Sequence, residues 1–142
     1  MGYKVLKILL GLEVVLLFVQ FWLGMNLNLF VVLPLHSPQI FSSYSGGYEL
    51  LAHIISGAAI FVSAGLILSY GSRLRSWRIS ALSVVGFVFT IVALATGATF
   101  TLRGQDTSLS LVMAMSLLIV FAIYLSEYFL VNGLQVAGRD FR

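Results

Sequence analysis

Cysteine is absent from this chain. That excludes disulfide cross-links, thiolate catalysis, iron–sulfur clusters and cysteine-bound zinc. Charge is scarce as well: Asp, Glu, Lys and Arg make up 9% of the 142 residues, against about 25% in an ordinary soluble domain. There are two histidines and two prolines. No glycine-rich phosphate loop, no Ser/His/Asp set beyond accidental composition and no metal-spaced His/Asp/Glu cluster can be read from the sequence. What the chain has instead is apolar bulk, 60% hydrophobic residues and a mean hydropathy of +1.04. A soluble fold of this length could not hide that much apolar surface.

Four runs are long enough to cross a hydrocarbon core about 30 Å thick, which takes about 20 helical residues. They are Val5 to Met25, Tyr48 to Tyr70, Ile79 to Leu102 and Leu109 to Val131. The polar stretches Gly71 to Arg78 and Arg103 to Ser108 are short enough to join antiparallel neighbours. The expected fold is therefore an all-α integral membrane protein, a single antiparallel four-helix bundle covering residues 1 to 142. The first span is longer than a signal-peptide core and has no Ala-x-Ala-like site after it, so it reads as a retained helix.

Lys4, Lys7, Arg73, Arg75, Arg78, Arg139 and Arg142 fall on one side of the four spans, with Arg103 alone opposite. By the positive-inside rule both termini are expected in the cytoplasm, with the chain in the plasma membrane. The basic residues are juxtamembrane and carry no nucleic-acid motif, so attraction to anionic lipid accounts for the sequence pI of about 9.5. Trp22, Tyr44 and Tyr48 toward the outside, and Tyr3, Tyr70, Trp77 and Tyr128 toward the inside, fit two aromatic belts.

Residues 26–47 form the one long connection. It includes the apolar run Leu27 to Leu35, and Pro34 and Pro38 break any long helix there. A loop too apolar for disorder is expected to rest on the bilayer or to cap the bundle mouth. His36 lies in it and reads as an interfacial histidine, or as a ring that folds inward.

Counting 1.5 Å per residue from the outer span ends puts Gln20, His53, Thr96 or Gly97, and Met113 at one level, roughly 6 to 9 Å deep. Glu13 falls about 20 Å down, near Ser63 and Thr90. His53 is the best functional lead, because an ionisable ring inside a span faces a bundle interior, a partner or a cofactor. It reads either as a ring hydrogen-bonded to a neighbouring helix or as an axial haem ligand. Glu49, one turn before it, could orient the ring by accepting its second N–H bond. Glu13 reads as protonated and hydrogen-bonded, as paired with another subunit, or as part of a proton path. Gln20, Ser63, Thr90 and Thr96 read first as interhelical hydrogen-bonding glue, and Met113 and Met115 as packing. Glu127, beside Tyr128, reads as interfacial. Gly86, Thr90, Ala93 and Gly97 make a small-residue stripe on the third span, which permits close helix approach or admits a flat ligand.

Gln20-Phe21-Trp22-Leu23-Gly24 closing the first span, a long outer loop and Glu49-x-x-x-His53 opening the second are similar to one half of heme A synthase. The third-span ending Ala95-Thr96-Gly97-Ala98-Thr99 is similar to the same region of that family. The resemblance covers most of the chain as a half-length form. It implies a haem cofactor with His53 as its metal ligand, lined by Gln20 and Gly97, and a functional role for Glu49. The chain departs from the family in having no histidine on the fourth span and no cysteine pair in the outer loop. The resemblance leaves the sixth iron position to Met113, to His36, to a histidine from another chain, or open.

Two functions are therefore expected from different classes. One is a haem-binding protein in haem handling or terminal-oxidase assembly. The other is a non-catalytic accessory subunit of a larger respiratory complex, or a homo-oligomer, in which Glu13 meets a partner.

Overall fold

The structure, a computed structural model, describes residues 2–30, 47–74, 76–102 and 106–137. These form four helices, α1 (Gly2–Phe30), α2 (Gly47–Ser72), α3 (Trp77–Leu102) and α4 (Thr107–Ala137), with no strand among the described residues. All four are long and apolar enough to cross a membrane.

Leu, Val, Ile and Phe occupy every face of the helices, the pattern of helices that do not sort a polar side from an apolar one. Ile8 and Phe18 are 71% and 66% exposed on the outside of the bundle, which suits contact with lipid and not with water. The ends carry their own signals. Asp106 caps α4: its Oδ1 accepts from the Ser108 backbone N–H at 2.8 Å and from Ser108 Oγ at 2.6 Å. The end of α2 tightens into shorter-range bonds, Arg73 N–H to the Tyr70 carbonyl at 3.3 Å and Leu74 N–H to the Gly71 carbonyl at 3.2 Å.

Two helices outrun the expected spans. α1 continues from Met25 through Phe30, so the connection expected from residue 26 begins later, and α4 continues from Val131 to Ala137. Asn26 does not break α1, because its Nδ2 donates to the Trp22 carbonyl at 2.9 Å and stays along the helix. At 1.5 Å per residue α1 is about 43 Å long, more than a hydrocarbon core requires.

The helices form a ring in which α1 packs on α2 and α4, and α3 packs on the same two. In the diagonal pairs, α1 with α3 and α2 with α4, no described Cα atoms approach within 8 Å, and only side chains meet across the centre. The core is a stripe from each helix: Leu6, Leu10 and Leu17 on α1; Ile60, Ala64 and Ile67 on α2; Ile79 on α3; Val120, Tyr124 and Val131 on α4. Lys7 Nζ near the start of α1 donates to Asn132 Oδ1 near the end of α4 at 2.6 Å and lies 5.6 Å from the centroid of the Tyr128 ring.

Candidate functional site

At the end of the bundle where α1 stops and α2 starts, all four helices line one cavity of about 380 Å³. That volume falls in the range of small-molecule sites, about 300–1,000 Å³. Its walls are mainly apolar, with Leu17, Phe21, Ile54, Phe61, Leu94 and Leu117 among them, and its polar points are few: Gln20, Asn28, His53, Thr90 and Ser110. Gly24, Gly57, Gly97 and Ala93 supply room by having little or no side chain.

Gln20, His53, Gly97 and Met113, from four different helices, all border this space. His53 on α2 and Met113 on α4 belong to a diagonal pair whose backbones stand apart, so they stand on opposite walls. Thr96 does not take part: its hydroxyl donates to the Val92 carbonyl at 2.8 Å, inside its own helix.

The side-chain partner of His53 comes from α1. Gln20 Nε2 lies 3.1 Å from His53 Nε2, and Ser56 Oγ donates to Gln20 Oε1. With Oε1 committed to Ser56, the Gln20 amide donates to the ring; that orientation is assigned from the hydrogen-bond network, and it puts the ring proton on Nδ1. The ring reaches α1 because Gly24 leaves space there: a Cβ on Gly24 would lie 3.2 Å from His53 Cε1. A Cβ on Gly57 would lie 3.3 Å from Gln20 Nε2, so the two glycines shape the pocket around this pair.

The bond expected from His53 to Glu49 is not made. His53 Nδ1 and Glu49 Oε2 are both buried without a hydrogen-bond partner. A spacing of four puts them on one helix face, yet the ring turns toward α1, where the Gln20 amide meets it. Glu49 does not line the cavity, and His36 lies outside the described residues.

The two membrane acids also have internal partners. Glu13 is 0% exposed and accepts from Ser63 Oγ. Glu127, expected at the interface, is also 0% exposed and accepts from Ser83 Oγ at 2.6 Å. Its direction follows from its register: Val120, Tyr124, Glu127 and Val131 are spaced 4, 3, 4 along the buried stripe of α4, as Leu6, Leu10, Glu13 and Leu17 are on α1. That periodicity was readable in the sequence; which face of α4 is buried was not.

Gly97 meets the sulfur of Met113, since an added Cβ would lie 3.1 Å from Sδ. The neighbour is the flexible end of a side chain. Gly97→Ala is accordingly expected to change stability by no more than about 0.5 kcal/mol, the small displacement of Met113 being offset by the better helix propensity of alanine. The thermal midpoint in detergent checks it.

No protein-family model, curated protein or solved structure matches the chain.

Among the described residues no group of three or more His, Asp or Glu side chains could hold a bare metal ion. A haem asks for less from the protein, one or two axial ligands and an apolar envelope. The residues present fit that demand. They offer an imidazole on one wall, a thioether on the opposite one, and small residues between; with Nε2 at Gln20 and Nδ1 beside Gly24, the ring would have to turn from α1 to give a bare nitrogen to iron.

Proposed function

We propose that the chain is a haem-binding membrane protein of the heme A synthase type in a half-length form, acting in haem handling or terminal-oxidase assembly. One observation carries the reading: His53 and Met113 border the same apolar cavity from two helices whose backbones stand apart. His53 would hold the iron as the strong ligand and Met113 as the weak one. When bound, haem supplies a one-electron redox centre, and His/Met ligation raises its potential. With the ring turned into the cavity, the Gln20 side-chain oxygen would accept from the ring N–H that does not hold iron, the role that outer hydrogen bonds play at metal-ligating histidines. Glu49, with one buried carboxyl oxygen unpartnered, is the acid that the resemblance makes functional.

An antiparallel arrangement is supported by the contacts at helix ends: Gln20 with His53, Gly97 with Met113, and Lys7 with Asn132 each join the late part of one helix to the early part of its neighbour. The Lys and Arg distribution supports termini in the cytoplasm and residence in the plasma membrane. The accessory-subunit alternative draws on the shortage of polar chemistry within one chain; against a partner's meeting Glu13 stands its burial inside the bundle, where Ser63 binds one of its oxygens.

The test is a reduced-minus-oxidised spectrum of the chain purified after haem-replete expression, with pyridine haemochrome analysis. A stoichiometric Soret band is expected; a colourless protein that co-purifies with other subunits would instead establish the accessory role. Gln20→Ala is expected to keep a haem band at saturation with affinity about 10–100-fold weaker, the usual effect of losing a supporting hydrogen bond. Haem titration followed by absorbance reads it.

A further inference from the structure

Below the cavity the bundle core holds polar groups that haem binding does not use. Glu13 and Glu127 lie on helices that touch, α1 and α4, and each is 0% exposed. Each has one carboxyl oxygen bound by a serine and the other, Oε1 of Glu13 and Oε2 of Glu127, buried without a partner. Tyr124 lies on α4 three residues before Glu127, so the two share a face. It is also 0% exposed, and its hydroxyl lies beside that of Thr90 without a hydrogen bond of normal geometry.

These groups line up along the bundle axis. At one end, an added Cβ on Gly71, beside the α2–α3 turn, would lie 3.5 Å from Glu127 Oε1. One turn along α3 from Ser83, Gly86 faces Tyr124: a Cβ there would lie 3.1 Å from the phenol oxygen. A further turn brings Thr90, whose hydroxyl donates to the Gly86 carbonyl at 2.9 Å and which borders the cavity floor. On α1, Leu17 of the cavity wall follows Glu13 by one turn. The cavity itself runs on to Asn28 and Ser110, at the other end of the bundle.

We propose that Glu127, Tyr124 and Glu13, with Ser83 and Ser63, form a proton-conducting column from the α2–α3 turn to the cavity, so that the chain passes protons across the membrane. Intramembrane acids that face a bundle interior mark such relays, and a charge held there without a counter-ion is costly. Among the described residues no ion pair is made to either acid of the column. α2 contributes Ser63 and α3 contributes Ser83 and Thr90, none of them charged, while Lys7 on α1 is held by Asn132. The resting column therefore keeps a proton on each carboxyl. The free oxygens of Glu13 and Glu127 can each take one further hydrogen bond, and single waters entering between the groups would complete the chain. A proton entering at Glu127 displaces the one already there, which moves through the Tyr124 hydroxyl to Glu13 and leaves from Glu13 toward the cavity, whose wall begins one turn away at Leu17. No electron moves, and no bond other than O–H forms or breaks.

The column does not depend on haem, so the experiment uses haem-free protein. The chain is reconstituted in liposomes loaded with a pH-reporting dye, and a potassium diffusion potential drives proton entry. Wild-type flux is expected to exceed that of empty liposomes, and Glu13→Gln and Glu127→Gln are each expected to lower the excess at least about tenfold, with Glu13→Asp partly restoring it. Glutamine keeps the size of the side chain and an oxygen for the serine, and circular dichroism with size-exclusion profiles establishes that the variants fold. Wild-type flux no greater than that of empty liposomes overturns the column. So does undiminished flux in either glutamine variant, because a serial path fails at any break. Infrared difference spectra give a second reading: a carbonyl band of protonated carboxylic acid is expected to be lost in part with each variant, and its absence from the wild type overturns the proposal.

Discussion

His53→Ala is expected to strip haem from the protein, with loss of the Soret band and of any reduced-minus-oxidised signal. Among the described residues the cavity contains one imidazole. A thioether is a weak iron ligand, and Met113 would have to hold the group alone. Losing a supporting hydrogen bond costs metal affinity 10–100-fold, and losing the ligand itself is expected to cost on the order of 100-fold or more. The two ligands are separable. Met113→Leu, close in volume, is expected to retain haem with a lowered reduction potential and an altered spectrum, since His/Met ligation is the high-potential form. Free imidazole added to His53→Ala is expected to restore part of the band, because the alanine leaves room beside Gly24 for the ring that was removed. A full band in the unrescued variant would take the haem away from His53 altogether.

Gly86→Ala is expected to give a large loss of stability from a single added methyl group. An ideal Cβ there would lie 2.6 and 2.8 Å from two ring carbons of Tyr124 and 3.1 Å from its hydroxyl, inside any permitted contact. The ring cannot move aside cheaply, since Tyr124 is 0% exposed and lies in the core among Ile67, Val120 and Val131. Overpacking of this kind costs about 1–3 kcal/mol, well beyond the gain in helix propensity from replacing glycine. Reversible unfolding in mixed detergent micelles measures it. Adding Tyr124→Leu is expected to recover part of the loss, with a coupling between the two sites of about 0.5–3 kcal/mol. Strict additivity would mean that the clash is not the cause.

The contrast between Gly86 and Gly97 shows what a small-residue stripe leaves open. In sequence both belong to one spacing of 4, 3 and 4 on the third span, and both permit close approach. In the bundle Gly86 meets the middle of a fixed ring and Gly97 the end of a flexible side chain. Sequence spacing says where a helix can be approached; the partner helix decides what approaches, and how much it can yield.

The site was legible to a similar degree. A rise of 1.5 Å per residue brought Gln20, His53, Gly97 and Met113 to one level from the sequence alone, because depth along a helix is set by residue count. Which way a side chain turns at that level depends on the neighbouring helix. The ring of His53 goes to Gln20 and not to Glu49, and Gly24 and Gly57 make the space that allows it. Glu127 shows how far spacing goes: its register with Val120, Tyr124 and Val131 was readable, but that this face of α4 is the buried one was not, because apolar residues occupy every face.

By itself the sequence determined four helices and their apolar character, because a chain with so little charge and such long apolar runs has few other ways to satisfy its backbone in lipid. It placed the polar turns at residues 71–78 and 103–108, but not the last turns of α1 and α4, where apolar or neutral residues carry the helix past the expected ends. Only the tertiary structure decided which helices touch and which stand apart across the cavity. It also decided that Ser63 and Ser83 bind the two acids and that Gln20 binds His53. Those pairings join residues 33 to 50 positions apart. They depend on the rotation of each helix about its own axis, which packing against a neighbour sets and which a string of uniformly apolar residues does not reveal.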